Sequence, residues 1–66
     1  MKAQTKLFLF LLLRKEFDTI KWTWYLNAEE ALNIIKATLE LDLIDEAKEM
    51  ISDAKDYGYD YTNLLN

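Results

Sequence analysis

The chain contains no cysteine, no histidine, no proline and a single glycine, Gly58. Without cysteine there is no disulfide, no thiolate nucleophile and no cysteine metal site. Without histidine, the commonest metal ligand and the side chain that titrates near neutral pH are missing as well. One glycine cannot form the glycine-rich loop that cradles phosphates in nucleotide-binding proteins. We therefore predict that the protein is not an enzyme and uses no cofactor and no metal.

Size and charge restrict the remaining possibilities to a small binding protein. A chain of 66 residues with 52% hydrophobic residues should fold as one domain with a thin core. Because no disulfide can reinforce that core, dense packing or a homodimer is expected to stabilise it, and a cytoplasmic location fits. The net charge of −4 opposes direct binding to nucleic acid and predicts a protein partner with a basic surface.

Residues 7–13 form an uninterrupted apolar run that follows Lys6 and so resembles a secretory signal. The run is much shorter than the roughly 20 apolar residues that a membrane-spanning helix needs. Arg14 and Lys15 occupy the position where the small residues of a cleavage site would lie. We interpret the run as folded core and expect no membrane association.

The next apolar segment decides the expected structure of this run. Residues 19–26 alternate and are rich in β-branched and aromatic side chains, which places Ile20, Trp22, Trp24 and Leu26 on one face of a strand. The two segments then pair as an antiparallel hairpin over residues 6–26. The competing interpretation is a helix over residues 3–17, since leucine favours helices.

Two amphipathic helices are expected after the hairpin. Asn27, with Glu30 three residues later, resembles a capping box and predicts a helix over 27–40. Asp42 is expected to cap a second helix that runs to Tyr57 and stops at Gly58 in a left-handed conformation. Their apolar faces are Ala28, Ala31, Leu32, Ile35 and Leu39, then Leu43, Ile44, Ala47, Met50, Ile51, Ala54 and Tyr57. The predicted fold class is α+β in the order ββαα, with a docked tail forming a short strand or a helical turn.

Acidic residues recur along the second of these helices at steps of four, three, four and three. We name this set the acidic arc: Asp42, Glu46, Glu49, Asp53 and Asp56. They share about 80° of the helix surface and follow one another about 5 Å apart along the axis. Such a row could imitate the phosphates of a nucleic acid and occupy a basic groove, or it could simply be a solvated face.

Two further features could form contacts with a partner. Tyr57, Tyr59 and Tyr61 surround Gly58 and Asp60, and they could either anchor an interface or dock within the chain. The hairpin would also expose more apolar surface than two helices can cover, which predicts self-association at micromolar concentration.

Residues 20–32, IKWTWYLNAEEAL, resemble the strand and glutamate-capped helix of small bacteriophage-encoded accessory proteins. Some of those proteins are acidic inhibitors of host enzymes or of host defence, including anti-CRISPR proteins. The resemblance implies a phage-type inhibitor acting by occlusion or by charge mimicry. The alternative is a structural homo-oligomer assembled through the hydrophobic hairpin.

Overall fold

Three α-helices in sequence form the described part of the chain. The computed structural model describes residues 3–65, apart from the side chains of residues 3, 22 and 24. Helix α1 spans Ala3–Ile20, α2 spans Trp24–Glu40 and α3 spans Ile44–Asp56, with 3-10 turns at Lys21–Thr23 and Thr62–Leu65. Residues 3–65 contain no strand, so the predicted α+β fold, its ββαα order and its hairpin over 6–26 are wrong. The protein is all-α.

The segment expected to be a strand is helical, and its threonines bond to the backbone within the helical turns. Thr19 donates its hydroxyl to the carbonyl of Lys15 at 2.7 Å, and Thr23 donates to the carbonyl of Ile20 at 3.4 Å. Such bonds give the threonine hydroxyls an acceptor within the helical backbone. The competing interpretation, a helix over residues 3–17, is therefore correct and extends to Ile20. The side chains of Trp22 and Trp24, which the prediction placed on one strand face with Ile20, lie outside those described.

Asn27 marks a kink in α2 rather than the end of a strand. Its backbone has φ −126° and ψ 24°, which is not helical, so the regular helix restarts after it. The Asn27 amide donates to the Thr23 carbonyl at 3.1 Å and to the Thr23 hydroxyl at 2.8 Å. Glu30 meets Glu16 of α1 instead of returning to Asn27, so the predicted capping box is wrong. A hydrogen bond with the Glu16 carboxyl, slight desolvation and the charge of Glu16 together raise the pKa of Glu30.

Asp42 ends α2 and does not cap α3, contrary to the prediction. It has a left-handed backbone with φ 63°, and its N–H donates to the Leu39 carbonyl at 2.9 Å while the Leu43 N–H donates to the Thr38 carbonyl at 3.3 Å. These two bonds define a Schellman motif with Asp42 in the position that glycine usually takes. The residue that precedes α3 is Leu43, which makes no side-chain capping bond.

Gly58 ends α3 with the same motif, as the sequence predicted. Its φ is 92°, its N–H donates to the Lys55 carbonyl at 2.9 Å, and the Tyr59 N–H donates to the Ala54 carbonyl at 3.0 Å. The helix itself stops at Asp56, one residue before the predicted end.

The core lies where α2 packs against both α1 and α3. Its buried apolar members are Phe17, Ile20, Ala31, Ile34, Ile35, Ala47, Met50, Ile51 and Ala54. The alanines let the helices approach closely, and the predicted apolar faces of α2 and α3 supply most of this set. Thr38 is buried among them, and its hydroxyl donates to the Ile34 carbonyl at 3.0 Å, which satisfies it.

Candidate functional site

The outer face of α1 carries the large exposed apolar side chains of this helix. We name this set the α1 patch: Leu7, Phe8, Leu11 and Leu12, which are 58%, 63%, 59% and 54% exposed. Spacings of three and four residues make them neighbours on one helical surface. The patch is therefore continuous and not a scatter of single exposed leucines, which would need no explanation.

A groove adjoins the α1 patch on the side that faces α2. We name it the α1/α2 groove; it has a volume of about 440 Å³ and is lined by Leu9, Leu12, Leu13, Ala37, Glu40 and Leu41. Leu12 belongs to both features and joins them. The same surface thus presents projecting apolar side chains next to an apolar depression.

Polar residues bound the α1 patch at both ends. Gln4 and Thr5 precede it, Lys15 and Glu16 follow it, and all four are exposed. An apolar centre with a polar rim is the usual composition of a protein contact surface.

Within residues 3–65, every helix is too short or too polar to cross a membrane.

The acidic arc is only partly free to meet a partner. Asp42, Glu49 and Asp56 are exposed, whereas Glu46 and Asp53 are half-buried. Since Asp42 lies in the turn before α3, it does not continue the helical row that the sequence predicted. The exposed helical part of the arc is reduced to Glu49 and Asp56.

Asp53 pairs with a basic residue of α1. The Arg14 guanidinium lies 2.6 Å from the Asp53 carboxylate and 3.3 Å from Asp18, and its charge lies over the ring of Phe17. Partial burial lowers the pKa of Arg14, but the bonds and charges of Asp53 and Asp18 outweigh this effect and raise it. Asp53 therefore joins α3 to α1, a role that the helical wheel did not indicate.

A second cavity lies beside this ion pair, between the ends of α1 and α3. Its volume is about 230 Å³, and its lining consists of Phe17, Asp18, Lys21, Asp53, Asp56 and Tyr57. The lining mixes three carboxylates with a lysine and two aromatic rings. The cavity is smaller and more polar than the α1/α2 groove.

The tyrosine tail folds back onto the helices. The Tyr61 hydroxyl donates to the Ala28 carbonyl at 3.1 Å, and the rings of Tyr59 and Tyr61 stack with centroids 6.2 Å apart. Both rings pack against the core, while Tyr57 remains exposed. Of the two roles considered for the tail, the structure gives Tyr59 and Tyr61 the intramolecular one.

Asp60 orders the last turn of the tail. It accepts the Thr62 hydroxyl at 2.6 Å and the Thr62 N–H at 3.0 Å, and these bonds lower the pKa of Asp60. The tail thus ends in the 3-10 turn Thr62–Leu65, which corresponds to the helical alternative given for it.

The α1 patch is the feature that the sequence prediction placed in the wrong setting. Residues 7–13 were assigned to a hairpin core, with uncovered apolar surface expected on that hairpin. Seven consecutive apolar residues cover every direction around a helix, so a helix on one side of a small core must expose some of them.

Comparison of the chain with protein-family models, with curated proteins and with solved structures found no match.

Proposed function

We propose that the chain is a small protein-binding module whose contact surface is the α1 patch with the adjoining α1/α2 groove. The observation that carries the proposal is the contrast in burial along one helix. Phe17 is 1% exposed, whereas Phe8, on the same helix, is 63% exposed. A well-packed core beside a continuous exposed apolar face is typical of a binding surface.

The size of the α1 patch supports this function. From their exposed fractions, its four side chains present about 400 Å² to solvent, in the range where the largest patch of a small protein is often functional. Their spacing at i, i+1, i+4 and i+5 suits contact with a helix or with a groove that accepts one. Phe8 is the central aromatic residue and the expected main contributor to binding.

Substitution of the patch tests the proposal. The double variant Phe8→Gln/Leu11→Gln replaces two exposed side chains by a polar residue of good helix propensity, so the fold should persist. The matched control is Tyr25→Gln/Leu26→Gln, because those side chains are 74% and 71% exposed outside the patch. Circular dichroism establishes that each protein is folded before binding is compared.

The binding measurement is affinity capture from bacterial extract with quantitative mass spectrometry. A protein retained by the wild type and by the control, but lost with the patch variant, is the expected result. Retention of the same proteins by all three, together with unchanged self-association of the patch variant, would contradict the proposal.

A second candidate function uses the acidic surface of α3, and it is favoured by the exposure of Glu49 and Asp56. In this case the chain would be an acidic inhibitor that occupies a basic groove of a nucleic-acid-binding or defence protein, the class to which the phage resemblance points. Glu49→Gln/Asp56→Asn leaves the Arg14 pair intact and should slow association with such a partner. The wild-type rate should also fall as salt rises. Association that is independent of salt and of both carboxylates would contradict this candidate.

A further inference from the structure

We infer that the α1 patch binds a second copy of this chain, with the two α1 helices antiparallel. The inference rests on the proposed function, because it names the occupant of the same surface. Three properties of the described residues support it: shape, area and charge.

The surface offers both projecting and recessed apolar parts to a second copy. The patch projects from α1, and the α1/α2 groove lies directly beside it, with Leu12 shared between them. A two-fold axis through the middle of the patch brings the projecting side chains of the two copies together and places each groove at the edge of the contact, as an isologous interface allows. The groove, at about 440 Å³, is larger than a single leucine or phenylalanine.

The area fits a weak, reversible dimer. About 400 Å² on each copy gives about 800 Å² for both patches, and the groove adds to this. Stable interfaces bury about 1,200–2,000 Å² in total, so the expected dimer lies at the weak end. Monomer and dimer should therefore exchange at micromolar to millimolar concentration.

The positions of the polar residues select the antiparallel orientation. When the two-fold axis crosses α1 at the middle of the patch, Leu7 lies opposite Leu12 of the second copy and Phe8 opposite Leu11. The apolar residues then cover one another completely along the helix. No apolar residue of the patch is left opposite a charge.

The charge at the end of the patch agrees with this orientation. In the antiparallel pair, Lys15 lies opposite the uncharged Gln4 of the second copy. In a parallel pair, Lys15 would face Lys15 and Glu16 would face Glu16, and such like-charge contacts oppose association. The parallel arrangement is disfavoured for this reason.

Sedimentation equilibrium tests the stoichiometry. From about 5 µM to about 1 mM, the average mass should rise from that of one 7.8 kDa chain towards that of two. Phe8→Gln/Leu11→Gln should raise the dissociation constant at least about tenfold, and Tyr25→Gln/Leu26→Gln should leave it unchanged. Added salt should not weaken the dimer, because its contacts are apolar.

Cross-linking tests the orientation, and the absence of native cysteine makes it unambiguous. A mixture of Gln4→Cys and Lys15→Cys chains, treated with a short bifunctional thiol reagent, should give the mixed dimer in preference to either homodimer. Preferential linkage of Lys15→Cys to itself would overturn the antiparallel arrangement.

The outcomes separate this inference from the proposed function. A constant monomer mass up to about 1 mM would overturn the homodimer. If Phe8→Gln/Leu11→Gln then still abolished capture of another protein, the patch would remain a binding surface with a different occupant. A constant monomer mass together with unchanged capture would remove both.

Discussion

Asp42 and Gly58 occupy the same position of a Schellman motif, so substitutions at the two residues should change the stability of the protein in opposite directions. Both have positive φ, at 63° and 92°, and both are flanked by the two bonds of a Schellman motif. Replacing Asp42 by glycine should therefore stabilise the protein. Replacing Gly58 by alanine should destabilise it.

The size of each change in the free energy of unfolding follows from two opposing contributions. A left-handed backbone costs a side-chain-bearing residue about 1–2 kcal/mol, with aspartate at the lower end. Glycine lowers the free energy of unfolding by about 0.4–1 kcal/mol, because it makes the unfolded chain more flexible. Asp42→Gly should raise the free energy of unfolding by about 0.5 kcal/mol, and Gly58→Ala should lower it by about 0.5–1 kcal/mol. A Cβ at Gly58 would meet no atom within 4 Å, so Gly58→Ala reports the backbone cost without a steric clash.

Urea unfolding followed by circular dichroism, at a concentration where the chain is monomeric, measures these differences. The thermal midpoint should rise by about 2–4 °C for Asp42→Gly. The control is Asp42→Ala, which keeps a Cβ in the left-handed region and should gain no stability. If instead Asp42→Ala cost about 1 kcal/mol and Asp42→Gly gave no gain, Asp42 would act as the N-cap of α3, as the sequence first indicated.

Three further predictions follow from single contacts. Arg14→Gln and Asp53→Asn, made singly and together, should give a coupling free energy of about 0.5 kcal/mol in urea unfolding. The distance between the two charged groups is short, but both side chains are partly exposed to solvent. A coupling free energy of zero would mean that the ion pair does not hold α1 to α3. Glu16 raises the pKa of Glu30 above its ordinary value of 4.5. Their contact therefore stabilises the fold at pH values below 4.5, and this stabilisation is lost as the pH rises through the raised pKa. Glu30→Gln should thus gain stability relative to wild type over that interval, and parallel stability curves from about pH 4 to about pH 7 would refute this. Tyr61→Phe should cost about 1 kcal/mol through loss of its hydrogen bond to α2, and an unchanged urea midpoint would show that the bond contributes nothing.

The helical periodicity of α2 and α3 predicted the centres of their buried faces but not the edges, since Ile44 and Tyr57, both placed on the apolar face of the second helix, are 40% and 43% exposed. Ala31 and Ile35, and then Met50 and Ala54, recur at the spacing of one helical face, and all four are buried. Gly58 was identified correctly because glycine is the residue best suited to a left-handed helix end. These features depend on local sequence, which explains why they could be predicted.

Residues 19–26 were mispredicted because β propensity depends on the surroundings. An alternating pattern stabilises a strand when a neighbouring strand and a packed face are present. Here the helix continues instead, Ile20 is buried and Leu26 is 71% exposed, so the two residues do not share one face. The local pattern alone did not reveal which long-range contacts would form.

The contacts of the acidic arc could not be predicted from the sequence for a related reason. Aspartate is common both as an N-cap and in left-handed turns, so residue type could not distinguish the two roles of Asp42. A helical wheel gives the direction of Asp53 but not its neighbour, Arg14, which lies 39 residues earlier in the chain. The exposed face of α1 could not be located until residues 7–13 were known to be helical.

The sequential packing of the three helices has a consequence for the kinetics of folding. Each helix contacts the next one along the chain, and such local topologies fold in microseconds to milliseconds. Two side-chain hydrogen bonds among the described residues join segments far apart in the chain: the Tyr61 bond to Ala28 spans 33 residues, and the Arg14 bond to Asp53 spans 39. Because closing a long segment is entropically costly, these contacts should form after the helices have docked. Their loss would then accelerate unfolding more than it slows folding, so the tail and the ion pair govern how long the native state persists.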